Sequence, residues 1–196
     1  MNGSDKTRET APEYARNRQQ RLTYDDYCRM PSGQRYELVE GGLRVVPSPS
    51  MFHQKVSARL WRALQQWVED RRLGEVYYAP SDVVLSEHDV VQPDILLIAQ
   101  GRLEIVKKEN VQGAPDLVVE ILSPSTEEWD RTTKRQLYAS YGVRELWLAD
   151  PGRHEIEVAV LQGQELVTDG VYPSDSALKS PLLPDFSLQV GWVFRR

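Results

Sequence analysis

Two acidic residues lie inside segments that are otherwise apolar. Asp94 lies in residues 90–98, VVQPDILLI, and Glu120 lies in residues 117–122, LVVEIL. Strands this apolar occupy the centre of a sheet that is covered on both faces, and an unpaired carboxylate there costs several kcal/mol. Each acid therefore needs a partner, which can be a metal ion, an arginine or lysine, or water at the end of the strand.

Lys134 is the third residue whose position is unusual for its type. In the predicted helix of residues 130–141, Lys134, Leu137, Tyr138 and Tyr141 recur at spacings of three and four. These positions lie on one stripe of the helix, and the leucine and the tyrosines must be buried. Lys134 is therefore predicted to point inward.

Two carboxylates and an inward ammonium are the groups that metal-dependent phosphodiester hydrolysis requires. Two carboxylates can hold Mg²⁺ while water and phosphate oxygens take its remaining octahedral positions. The ammonium can orient or help to deprotonate the attacking water and offset charge on the pentacovalent phosphate. The alternative is structural, with Glu120 paired to Lys134 and Asp94 paired to an arginine, and spacing alone leaves both interpretations open.

Two further residues share a face with these groups. In the predicted helix of residues 51–73, His53 lies on the stripe of Val56 and Leu60, where a lone histidine more often has a structural role. A period of two puts Asp116 on the same face of its strand as Glu120. His53 is therefore a secondary candidate, and Asp116 is as consistent with fixing the start of the strand as with touching a metal.

The size and composition of the chain limit the classes of protein that it can be. It has 196 residues, a net charge of −5 and 40% hydrophobic residues, with 24 Lys and Arg against 29 Asp and Glu. These values predict one folded domain, residues 22–196, after a polar and flexible tail of residues 1–21. No apolar run approaches the roughly 18 residues that cross a bilayer. The first residues lack the apolar core of a signal peptide, and Cys28 has no disulfide partner, so we expect a cytoplasmic protein without membrane contact.

The pattern of elements predicts an α/β, or α+β, fold with a mixed central sheet flanked by helices and with additional antiparallel hairpins. The main helices are predicted at residues 51–73, ending before Gly74, and at 130–141. Strands are predicted at residues 75–78, 82–85, 93–99, 115–122, 145–149 and 186–190, and hairpins at 35–46 and 155–167. The 115–122 strand, the second helix and the 145–149 strand form a βαβ-like unit. The charged connection of residues 100–113 is a candidate mobile loop.

Positive charge is concentrated on the two main helices, although the chain as a whole is acidic. Residues 51–74 carry five Lys and Arg against two acids, and residues 130–144 carry four against one. Lys55, Arg131 and Arg135 are therefore weak candidates for contact with nucleic-acid phosphates, although such faces are more often only solvated.

Several segments together resemble a known family. They are QPDILLIA at residues 92–99, GAPDLVVEILSPST at 113–126 and DRTTKRQLYASYGVRELWLADP at 130–151, preceded by YELVEGGL and PSPSMFHQKV. In combination they are similar to the Uma-type restriction endonuclease family of the PD-(D/E)XK nuclease superfamily, over residues 22–192. In the classical superfamily pattern a lysine follows the second acid by two residues, where this chain has Leu122. The Uma-type pattern instead has a lysine on the next helix, which matches Lys134.

The resemblance implies a site, a cofactor and an assembly. It implies an α/β/α core on a mixed sheet, with Asp94 as the first metal-binding acid, Glu120 as the second, and Mg²⁺ or Mn²⁺ as the ion. Glu40, which matches the family's early acidic position, and His53 are implied to support the site, and Glu37 is a weaker candidate. A homodimer is expected by analogy, because cutting both strands of DNA needs two sites.

The sequence therefore predicts a metal-dependent endonuclease that hydrolyses phosphodiester bonds in DNA. The alternative is a nuclease fold without catalysis that serves as a nucleic-acid or protein binding module. The sequence does not separate action on RNA or branched DNA from duplex cleavage. A serine–lysine hydrolase built on Ser123 or Ser125 is disfavoured, because Ser-Pro-Ser-Thr after a strand is ordinary turn and cap chemistry without nucleophile-elbow glycines.

Overall fold

A six-stranded mixed sheet forms the centre of the computed structural model, which describes residues 21–195. In spatial order its strands are β11 (Glu165–Pro173), β10 (Glu155–Gln162), β9 (Glu145–Asp150), β8 (Leu117–Ile121), β6 (Ile95–Ala99) and β3 (Gly74–Tyr78). Only β8 and β9 run parallel, and the other neighbours in this sheet are antiparallel. The tail predicted for residues 1–21 lies, except for its last residue, outside the described residues.

A second, five-stranded sheet and a short hairpin complete the β-structure of the described residues. In spatial order the second sheet contains β2 (Gly42–Val46), β1 (Arg35–Val39), β5 (Asp89–Val91), β4 (Val83–Ser86) and β7 (Val111–Gln112). The short hairpin pairs β12 (Ala177–Lys179) with β13 (Ser187–Gln189). These mixed sheets, with helices packed against them, confirm the predicted fold class.

The helices lie mainly on the two faces of the six-stranded sheet. Their bounds are α1 (Tyr24–Cys28), α2 (Met51–Arg71), α3 (Glu127–Trp129), a π-helical turn (Asp130–Lys134), α4 (Arg135–Ser140) and α5 (Val190–Phe194), with a 3-10 helix at Gln100–Ile105. The Ser50 side chain accepts a hydrogen bond from the His53 N–H and so caps the start of α2. No helix within residues 21–195 combines the length and the hydropathy that a bilayer crossing requires.

The apolar run of residues 90–98 is divided between the two sheets instead of lying in one. Val90 and Val91 belong to β5, and the chain then crosses to β6 through Gln92, Pro93 and Asp94. Proline has no N–H to donate to a strand ladder, so it suits this crossing point. Asp94 therefore precedes its strand instead of interrupting it.

Other element boundaries also differ from the predictions. The second main helix begins at Glu127 and contains a π-helical turn, and β11 extends the predicted hairpin to Pro173. The last predicted strand is shorter, Ser187–Gln189, and continues into α5. The connection of residues 100–113, interpreted as a candidate mobile loop, contains the 3-10 helix and β7.

Gly74 has a different role from the helix stop that its position suggested. The helix ends because Arg72, with φ of 53°, takes the left-handed conformation. Gly74 lies at the start of β3 with φ of 152°, and a Cβ atom there would lie 2.0 Å from the Ile98 carbonyl oxygen. Glycine is therefore required at this position for the close approach of β3 to β6.

The six-stranded sheet separates two buried clusters. Leu117 and Val119 belong to the cluster that contains the buried face of α2, whereas Val118 belongs to the cluster that contains Leu137 and Tyr138 of α4. Side chains alternate along a strand, so Glu120 shares the face of Val118. This alternation directs Glu120 towards the helix that carries Lys134.

A buried glutamate anchors the C-terminal part of the chain to the central sheet. Glu145, at the start of β9, is fully buried and accepts hydrogen bonds from Trp147 Nε1 at 2.6 Å, Ser180 Oγ at 2.6 Å and the Leu182 N–H at 2.7 Å. Burial raises the pKa of Glu145, and these three donors oppose that effect. The carboxylate therefore joins β9 to the segment that precedes β13.

We expect Glu145→Ala to lower the free energy of unfolding by about 3 kcal/mol, because it leaves three buried donors without their acceptor. Urea unfolding followed by circular dichroism measures this loss. Glu165→Ala is the matched control, since Glu165 also begins a strand but is exposed, and we expect it to change the free energy by less than about 0.5 kcal/mol. Equal effects of the two substitutions would contradict the anchoring role.

Candidate active site

A pocket of about 370 Å³ opens at the carboxyl end of β8. Its walls come from the β1–β2 hairpin, the start of α2, and the segment that joins β8 to the helix carrying Lys134. Asp94, Glu120 and Lys134 all line this pocket, together with Glu37 and His53. The structure therefore brings the three principal residues of the sequence prediction to one place.

Lys134 is the centre of the polar contacts in the pocket. Its side chain is only 3% exposed, and its Nζ lies 2.6 Å from Glu120 Oε1 and 2.8 Å from Glu37 Oε1. Asp130 Oδ1 is more distant, at 4.0 Å. In the π-helical turn the Arg135 N–H bonds to the Asp130 carbonyl, which widens the helix where Lys134 faces the sheet. The ammonium thus joins β8, β1 and the helix.

Asp94 reaches the pocket because of the register between β6 and β8. Ile95 lies opposite Val119 in this antiparallel pair, so Asp94, one residue earlier, lies beside Glu120. Its Oδ2 accepts a hydrogen bond from the Ile121 N–H at 2.7 Å and lies 3.3 Å from His53 Nε2. Asp94 and His53 are therefore in direct contact, as a supporting role for the histidine requires.

Glu37, which lines the pocket, and Tyr138, which bonds to Glu120, were underestimated or missed in the sequence. Glu37, a weaker candidate, is buried in β1, where its Oε1 also accepts a hydrogen bond from the Gln92 N–H at 3.0 Å. Tyr138 donates from its hydroxyl to Glu120 Oε1 at 2.5 Å. Glu37 interrupts an apolar strand just as Glu120 does, so the same signal identifies it. The sequence carries no equivalent signal for the tyrosine hydroxyl.

The charges in the pocket are unbalanced towards negative. Burial raises the pKa of Glu120 well above its usual value; Lys134 opposes this, and the carboxylates of Asp130, Asp94 and Glu37 raise the pKa further. Burial lowers the pKa of Lys134, but the charges of Glu120 and Glu37 outweigh burial and raise it well above normal. Burial is thus the main cause of the raised pKa of Glu120, whereas the charges of Glu120 and Glu37 cause that of Lys134.

Two predicted site residues lie elsewhere. Glu40 is exposed in the turn between β1 and β2, where its backbone N–H donates to Asp89. Asp116 lies at the opposite end of its strand from Glu120, and four residues of strand span about 13 Å. Its carboxylate accepts a hydrogen bond from the Ala99 N–H and pairs with Arg102 at 3.1 Å. Of the two roles considered for Asp116, the structure therefore supports fixing the start of the strand.

The three weak candidates for phosphate contact do not line the pocket. Arg131 pairs with three carboxylates, those of Glu127, Asp150 and Glu157. Arg135 pairs with the same Glu157 at 2.7 Å. Lys55 is exposed on α2. Most of the positively charged side chains of the second main helix therefore form ion pairs with carboxylates of the protein itself.

The carboxylates of the pocket fit a divalent ion that keeps most of its water. Within residues 21–195, no group of three or more His, Cys, Asp or Glu side chains is arranged to hold a metal by itself. The contacts of the described residues with the two predicted ligands fall on Asp94 Oδ2 and Glu120 Oε1. Asp94 Oδ1 and Glu120 Oε2 are therefore left as oxygen donors, which are the ligands that Mg²⁺ prefers.

Comparisons with known proteins support a nuclease-like protein. Residues 23–191 match the Uma2 family, described as "Putative restriction endonuclease", so the chain belongs to that family. No curated protein matches the sequence. The crystal structure of a putative nuclease belonging to DUF820 from Anabaena variabilis ATCC 29413 is similar, with a TM-score of 0.74 and 21% identity over 88% of this chain and 97% of that chain. This structural likeness confirms the fold.

The pKa of Glu120, which burial and the neighbouring carboxylates raise, predicts a pH dependence of stability. Because its pKa is raised in the folded state, the stabilising contribution of Glu120 is present at low pH and is lost as the pH rises through that pKa. Without metal, we expect Glu120→Gln to gain stability relative to wild type as the pH rises, with a limiting slope of about 1.4 kcal/mol per pH unit. Urea unfolding in EDTA at a series of pH values measures this difference.

Glu157→Gln is the control with the opposite sign. Burial raises the pKa of Glu157, but hydrogen bonds from Thr168 and Arg135 and the charges of Arg135 and Arg131 outweigh burial and lower it. That contribution is present above the unfolded pKa and is lost as the pH falls through the folded pKa. The variant should therefore lose most at neutral pH and approach wild type in acid. A constant difference between Glu120→Gln and wild type at every pH would contradict the charge excess.

Proposed function

We propose that this protein is a metal-dependent endonuclease that hydrolyses phosphodiester bonds in DNA. The observation that carries the proposal is the meeting of Asp94, Glu120 and Lys134 in one pocket at the end of β8. Membership of the Uma2 family supports nuclease chemistry. Metal dependence and DNA as the substrate are inferred from the chemistry of the pocket.

The proposed ion site consists of Asp94 and Glu120. These carboxylates would hold Mg²⁺ or Mn²⁺ and bring two negative charges to it. When bound, such an ion polarises a phosphate oxygen and lowers the pKa of a water molecule. His53 and the Ile121 N–H hold Asp94, while Tyr138 holds Glu120, so the two ligands keep their orientation.

Lys134 is proposed to act as a hydrogen-bond donor and as a positive charge. Burial lowers the pKa of Lys134, but the charges of Glu120 and Glu37 raise it above its usual value, which favours the ammonium form. An ammonium has three N–H donors, and Glu120 and Glu37 occupy two of them. The charge then offsets negative charge that develops on the phosphate. Among the described groups that line the pocket, carboxylates and His53 are left to accept the proton.

A binding module without catalysis is the competing function, and one observation favours it. Lys134 is almost fully buried and already paired with two carboxylates, as in a structural ion-pair network. The two functions differ in what a divalent ion does to the protein. The homodimer and the cytoplasmic location expected from the sequence stay predictions.

We expect Mn²⁺ or Mg²⁺ to raise the melting temperature of the wild type. At an ion concentration about 100 times the dissociation constant, the gain is about 2.7 kcal/mol, or roughly 5–10 °C for a chain of this size. Asp94→Asn and Glu120→Gln should abolish this rise and lower metal-dependent cleavage of plasmid DNA at least about a hundredfold. Differential scanning fluorimetry and gel assays measure both effects.

Asp116→Asn is the matched control, because Asp116 is a buried acid of the same segment that lies outside the pocket. It should lower the melting temperature without metal, since it weakens the contact with Arg102, yet keep the metal-induced rise and the cleavage. If metal changes neither stability nor DNA, and the protein still binds DNA, the binding module is supported and hydrolysis is refuted.

A further inference from the structure

Two arginines line the acidic pocket without a carboxylate partner. Arg35 of β1 donates from Nε to Gln92 Oε1 at 2.7 Å, and Arg44 of β2 donates from Nη2 to the Ser125 carbonyl at 3.3 Å. Within residues 21–195, neither guanidinium lies within 4.0 Å of a carboxylate oxygen. Both cations therefore face the pocket with their charge available to an anion.

This arrangement contrasts with that of five other arginines. Arg102, Arg131, Arg135, Arg144 and Arg153 all pair with carboxylates. The carboxylates of the pocket would attract a positively charged side chain. Its two arginines nevertheless bond to the Gln92 amide oxygen and the Ser125 carbonyl oxygen, and not to those carboxylates. Guanidinium groups bind phosphate through a planar fork of donors, so these two groups suit the backbone of a nucleic acid.

Arg44 also joins two walls of the pocket. Besides its contact with Ser125, its guanidinium carbon lies 4.4 Å from the centre of the Trp129 ring. Arg44 belongs to β2, whereas Ser125 and Trp129 belong to the segment that follows β8. The pocket is thus partly enclosed on the side of the β1–β2 hairpin.

The acids are largely buried in this partly enclosed pocket. The side chains of Asp94 and Glu120 are 14% and 6% exposed, in a pocket of about 370 Å³. That volume suits a small molecule or one nucleotide. A duplex is a wide, stiff rod that carries its phosphates on the outside, whereas a single strand is narrower and can follow a positively charged groove.

We propose that the substrate strand enters this pocket as single-stranded DNA, with Arg35 and Arg44 binding the phosphates that flank the acid site. This inference deepens the proposed function and rests on it. A single strand is flexible enough to bring a phosphate to the recessed carboxylates of Asp94 and Glu120, which are 14% and 6% exposed. The two arginines offset the repulsion between the acidic pocket and the phosphates.

The test compares the binding of a fluorescein-labelled single-stranded oligonucleotide with the binding of the same sequence as a blunt duplex. Fluorescence anisotropy in the presence of Ca²⁺ measures both affinities at a series of salt concentrations. We expect the wild type to bind the single strand at least tenfold more tightly. Arg35→Ala and Arg44→Ala should each weaken single-strand binding about tenfold and lower the slope of log K against log salt by about 0.7. Arg44→Lys, which keeps the charge, should keep most of that slope.

Arg62→Ala is the matched control, since Arg62 is an exposed arginine of α2 that does not line the pocket. It should leave affinity and slope unchanged, and circular dichroism should show native folding for every variant. Equal or tighter binding of the duplex, no binding of the single strand, or unchanged affinity in both arginine variants would overturn the inference.

Cleavage is measured separately on both substrates with Mn²⁺. Arginine-dependent binding of single strands without cleavage would leave the inference standing as a binding property and refute the proposed hydrolysis. Metal-dependent cleavage that prefers the duplex would support the proposed function and overturn the single-strand inference.

Discussion

The buried ammonium of Lys134 is the contact on which the arrangement of the site depends. It lies between Glu120 of the six-stranded sheet and Glu37 of the five-stranded sheet, on a helix packed against the former. Removing one partner from such a group would leave a buried, uncompensated charge, at a cost of about 3–5 kcal/mol. This side chain thereby links the two sheets and the helix at the place where the pocket forms.

The same contact explains why the pocket is poised to take up positive charge. Lys134 is a single ammonium among the carboxyl groups of Glu37, Asp94, Glu120 and Asp130, which all line the pocket. A wholly structural network would be expected to balance its charges, because each buried ion carries a desolvation cost. The excess of negative charge therefore affects both the stability of this region and its proposed binding of a divalent ion.

Local sequence patterns predicted the helices and strands that carry the site. They predicted less well where one element ends and the next begins. The prediction that Lys134 points inward is correct, because Lys134 shares a helix face with a leucine and a tyrosine that are buried. The π-helical turn leaves these side chains on the same side of the helix. The division of residues 90–98 between two sheets was not predictable. Both halves are equally apolar, and the choice of sheet depends on partners that are distant in sequence.

The sequence by itself determined that Asp94, Glu120 and Lys134 need partners, because charged groups among apolar neighbours are costly to bury. Only the tertiary structure decided which partners they have. It selected Glu37 over Glu40, since strand alternation and pairing in β1 bury the former and leave the latter in an exposed turn. It also decided which arginines remain without a carboxylate, because ion pairs across strands depend on register and packing that local spacing does not encode.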